Sequence, residues 1–64
     1  MYQSKREKIS KAIFEMLSKR SDTFTKEEKN RLIAEMAIQF GASEEMATEI
    51  VGFFITTGRI FIEG

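Results

Sequence analysis

The chain has 64 residues, 42% of them hydrophobic and 31% charged, with ten Lys or Arg against ten Asp or Glu. That length holds one small domain, residues 1–64, and excludes a second. The lack of Cys and His excludes a disulfide framework and a Cys/His zinc site as stabilising devices, which leaves oligomerisation as the remaining one. No apolar run approaches the ~18 residues of a membrane span, so the expected setting is soluble, cytoplasmic and intracellular. The zero net charge hides an asymmetry. Residues 1–31 carry nine bases and five acids, whereas residues 32–64 carry five acids and the single base Arg59. Two arrangements fit this division: charge complementarity inside one domain, or two surfaces of opposite sign.

Ser4-Lys5-Arg6-Glu7 has the form of a capping box and announces the first helix. Ile9, Ala12, Ile13, Met16 and Leu17 follow at helical spacing on one stripe, with Lys8, Lys11 and Glu15 on the other side. Phe14 falls off the centre of that stripe, so it either packs under a neighbouring segment or stands partly in water. After a polar Ser-containing stretch, Thr23-Phe24-Thr25 reads as a short β segment. A second capping box, Thr25-Lys26-Glu27-Glu28, opens the second helix, whose buried stripe is Leu32, Ile33, Met36, Ala37 and Phe40. Gly41 stops it in the manner of a left-handed cap. Ile38 projects from the opposite face as a single exposed apolar residue, which is either ordinary or a partner contact.

Ser43 caps the third helix, with Glu44 and Glu45 in its first turn, where they complement the helix dipole. Met46, Ala47, Ile50, Val51 and Phe54 form its inward face, flanked by Phe53 and Ile55. Thr56-Thr57-Gly58 closes it, and Arg59-Ile60-Phe61-Ile62-Glu63 reads as a strand with Ile60 and Ile62 on one face. On the other face Phe61 stands between two charges.

The expected fold is therefore mainly α, with a three-helix core, a short β segment before the second helix and a C-terminal β-strand. This order resembles a winged helix-turn-helix. The resemblance is carried by Ala37, Gly41, Ala47 and Ile50 at the spacing of that family's helix pair, and by Phe53 to Ile60, which is similar to its helix-to-wing passage. Two helices crossing steeply need a small side chain at closest approach and a turn residue tolerant of positive φ. Ubiquitin-associated three-helix domains have a similar Gly followed by a Ser/Glu-rich helix start, which adds a peptide binder using the Gly41 turn as a third reading. The winged-helix resemblance implies a place in nucleic-acid machinery.

The third helix departs from a DNA reader. Its outward residues near the start are Ser43, Glu44, Glu45, Thr48 and Glu49, three carboxylates where phosphates and base edges would be met. These acids either cap and solvate a helix or face a basic protein surface. The bases lie elsewhere: Lys8, Lys11, Lys26 and Arg31, with other Lys of the first two helices, form either a phosphate-touching patch or pairs with Glu7, Glu15, Glu27 and Glu28 on a solvated face.

The C-terminal strand lacks the second wing strand expected of the family, so Ile60-Phe61-Ile62 is left with Thr23-Thr25 as its partner and one open edge. Such an edge, joined by Phe14 and Ile38 as exposed apolar candidates, is expected to bind a protein partner or a second copy in a homodimer. No catalytic role is expected. With neither His nor Cys, the carboxylates occur as caps and surface pairs, the four Gly stand isolated rather than in a phosphate loop, and no cofactor or metal site is expected.

Overall fold

The computed structural model describes residues 4–63; the isolated Gly64 lies outside them. Five elements follow one another: α1 (Lys5–Leu17), β1 (Thr23–Thr25), α2 (Lys26–Phe40), α3 (Glu44–Thr56) and β2 (Phe61–Glu63). The three helices and two short strands make a mainly α domain, in the order the sequence leads one to expect.

Each helix starts on a hydroxyl. Ser4, Thr25 and Ser43 accept from the backbone N–H three residues on, at 3.2, 3.1 and 3.1 Å, which satisfies one of the donors a helix start leaves free. The reciprocal half of a capping box forms at Thr25, whose own N–H donates to the Glu28 carboxylate at 3.0 Å. Both later helices stop on the same device. Gly41, at φ 62°, donates to Ile38 O while Ala42 donates to Ala37 O; Gly58, at φ 77°, donates to Ile55 O while Arg59 donates to Phe54 O. These are Schellman motifs, and they fix the direction in which the chain leaves each helix.

The second motif shortens the strand that follows. Ile60 N–H also turns back to Phe54 O at 3.2 Å, so Arg59 and Ile60 belong to the helix exit and the ladder begins at Phe61. β2 lies parallel to β1, with Thr23 beside Phe61, Phe24 beside Ile62 and Thr25 beside Glu63. Side chains alternate across a strand, so Phe24 and Ile62 share the inner face and Phe61 lies outside.

One core joins the three helices and β1 with the segment ahead of β2: Ile9 and Ile13 from α1, Phe24 from β1, Leu32, Ile33 and Met36 from α2, Ala47, Ile50, Val51 and Phe54 from α3, and Ile60, with Ile62 of β2 packed against it. Ile60 is 1% exposed. Its side chain is a core wedge under the sheet and not part of the binding surface expected of it, Ile62 is half-buried on the inner face, and Phe61 is the exposed apolar residue of the C-terminal segment.

Candidate functional site

The two strands of the sheet have different outer edges. In a parallel ladder alternate residues turn both backbone groups to the same neighbour. Phe61 N–H donates to Asp22 O at 2.9 Å, so Phe61 and Glu63 face β1, while Thr23 and Thr25 turn away from β2. The N–H groups on that far side of β1 are both occupied, Thr23 by Ser21 Oγ at 3.1 Å and Thr25 by the Glu28 carboxylate at 3.0 Å. Glu28 is itself held by Arg20 at 3.4 Å, and the Arg20 guanidinium lies 4.7 Å over the ring of Phe24. The hydrogen bond from Thr25 N–H is the main cause that holds the Glu28 carboxyl below its ordinary range, with the Thr25 hydroxyl and Arg20 acting the same way against partial desolvation.

The outer edge of β2 has no such seal. The same parity turns Ile60 C=O and both backbone groups of Ile62 outward, and among the described residues no backbone or side-chain partner meets them. Beside them stands Phe61, 52% exposed. This is an unpaired strand edge with an aromatic ring next to it.

Other apolar groups flank α1. Phe14 is 55% exposed, and Arg59 covers part of its ring at 5.5 Å, so the aromatic stands partly in water under a cation. Phe53, 64% exposed, borders a largely apolar groove of about 440 Å³ with Arg6, Glu7, Ser10 and Ile50, between α1 and α3. Sequence reasoning gave Phe53 no more than a flanking place, because helical spacing does not show that α1 leaves this side uncovered. Ile38, 82% exposed, lies on α2 and is not brought to either of these surfaces.

The charged candidates are dispersed. Glu44, Glu45 and Glu49 are exposed on α3, and Glu49 receives Arg6 of α1 at 3.2 Å, an ion pair between the basic and acidic parts of the sequence. Lys5 Nζ donates to Gly41 O at 2.8 Å and ties the start of α1 to the turn after α2. Lys8 and Lys11 on α1 and Lys26 and Arg31 on α2 are all exposed, and none of the four takes part in an ion pair among the described residues. No group of three or more His, Cys, Asp or Glu among those residues is placed to hold a metal ion, and no helix is long and apolar enough to cross a membrane.

No protein-family model matches the chain, and no curated protein or solved structure matches it.

Proposed function

We propose that the chain is a small non-catalytic interaction module of winged-helix-like build that engages protein through the outer edge of β2. The observation that carries this reading is the contrast between the two edges. Ser21 and Glu28 satisfy the outward N–H groups of β1, whereas among the described residues nothing meets either backbone group of Ile62, beside an exposed Phe61. An edge with unpaired N–H and C=O groups pairs readily with another extended segment, and an adjacent ring supplies apolar contact. The nucleic-acid setting rests on the helix pair around Gly41 and the Gly58-Arg59-Ile60 exit, which resemble the winged-helix family; both glycines have the positive φ that such turns use.

A second reading, a DNA-binding regulator touching phosphates, is favoured by the exposed cations Lys8, Lys11, Lys26 and Arg31, which form no ion pair among the described residues. The acidic start of α3 weighs against docking in a groove. The peptide-binding reading at the Gly41 turn is the weakest, since Lys5 already occupies the turn carbonyl.

Photocrosslinking in the host separates these readings. A benzophenone-bearing phenylalanine at position 61 is expected to form protein adducts, and the same group at position 38 to form few. Equal labelling at both positions, or adducts to nucleic acid alone, overturns the proposal.

A further inference from the structure

The edge of β2 also carries information about its occupant. Resting on the reading of that edge as the interaction surface, we infer that the occupant is a second copy of this chain, added antiparallel to β2 about a two-fold axis through Phe61.

The charges select the direction. Arg59 and Glu63 lie two residues either side of Phe61, and all three are exposed while Ile60 and Ile62 between them turn toward the core. In-register parallel pairing sets Arg59 against Arg59 and Glu63 against Glu63. Antiparallel pairing about Phe61 sets Arg59 of each copy against the partner's Glu63, giving two opposite-charge pairs.

The backbone supports the same register. Ile60 N–H is held by Phe54 O, but Ile60 C=O and Ile62 N–H both point outward. In the antiparallel arrangement Ile62 N–H of each copy donates to the partner's Ile60 C=O, while the reciprocal bond is not made because Phe54 O holds Ile60 N–H, and Ile62 C=O stays with water. Phe61 then faces the partner's Phe61 as a non-hydrogen-bonded pair, the closer of the two antiparallel spacings, with Cα atoms about 4.5 Å apart. Two half-exposed rings cover each other, and the half-buried Ile62 gains the partner's Ile60 strand as a neighbour.

The assembly also terminates. Joining the two β2 edges makes a four-stranded sheet whose outer strands are the two copies of β1, and the outward N–H groups of those strands are occupied by Ser21 and Glu28. Pairing stops at two copies rather than growing into a fibre.

Light scattering over a dilution series, with amide exchange on the same samples, tests this in the full 64-residue chain. The expected particle has twice the 7.4 kDa monomer mass, and the Ile62 amide is protected in it and exposed on dilution. Arg59→Glu or Glu63→Arg, each felt twice across the axis, loosens it by roughly tenfold. The double variant R59E/E63R restores it, and Phe61→Lys gives a monomer with unchanged circular dichroism.

A monomer at every concentration overturns the inference, as does a dimer that ignores the single charge changes or is not rescued by the double one. If the chain is monomeric while the crosslinker at position 61 still captures a different protein, the second-copy inference falls and the interaction-module reading stands. If no protein is captured at all, that reading falls with it.

Discussion

Glu28 accepts from Thr25 N–H with one carboxylate oxygen and meets Arg20 with the other. Both contacts favour the charged form, so its folded pKa lies below the ordinary value of 4.5. A depressed carboxyl contributes stability that is fully present above the unfolded value and lost as pH falls through the folded one. Glu28→Gln keeps an oxygen for Thr25 but does not titrate. The melting temperature of the wild type is therefore expected to fall more steeply than that of the variant as pH drops below about 4.5. Melts at a series of pH values check this, and parallel curves would remove Glu28 from the acid response. Gly41 gives a second residue-scale prediction. A Cβ there meets nothing within 4 Å, so Gly41→Ala pays the left-handed backbone penalty alone. The expected loss is about 1 kcal/mol in a urea titration, with Gly41→Asn losing less.

At the scale of elements, the features legible in the sequence are those written in local chemistry. Ser4, Thr25 and Ser43 bond three residues ahead, and Gly41 and Gly58 close α2 and α3, so the starts of all three helices and the ends of the last two follow from short-range pattern. β2 was less legible. Its length depends on Phe54 O, which takes both Arg59 N–H and Ile60 N–H and withdraws them from the ladder. The open edge was expected, but the sealing of the other one was not. Ser21 reads as an ordinary loop residue until the turn brings its hydroxyl to Thr23, and Glu28 reads as a helix cap although its bond to Thr25 also closes a sheet edge. Phe14 illustrates the same limit, since Arg59 reaches its ring from the far end of the sequence. Ile13 offers an element-scale test of the core: it has no exposed surface, and Ile13→Ala is expected to cost about 2–5 kcal/mol. A core of this size often supplies only ~3–5 kcal/mol, so that variant should lose its cooperative thermal transition.

For the whole molecule, the opposite charges of the two sequence halves meet at Arg6 and Glu49. Both side chains are half exposed, so the pair contributes at most about 1 kcal/mol and weakens in salt. The pair leaves the start of α3 acidic, since Glu44 and Glu45 are exposed there and form no ion pair among the described residues. Titration with a duplex at low salt is expected to show no complex. If Lys8, Lys11, Lys26 and Arg31 did contact four phosphates, binding would weaken with a log–log salt slope of roughly −3.6, and that result would favour the DNA-binding regulator. The pairing of β1 with β2 has a further consequence for how the chain is made. Phe24 leaves the ribosome well before Ile62, its partner in the sheet, and before Ile60, which shares its core. The helices can form as they emerge, yet the apolar cleft they surround stays unfilled until Ile60 and Ile62 have followed them. Closure of this domain is therefore expected to wait for Ile60, and a nascent chain stalled before that residue should remain open to proteases that the folded domain resists.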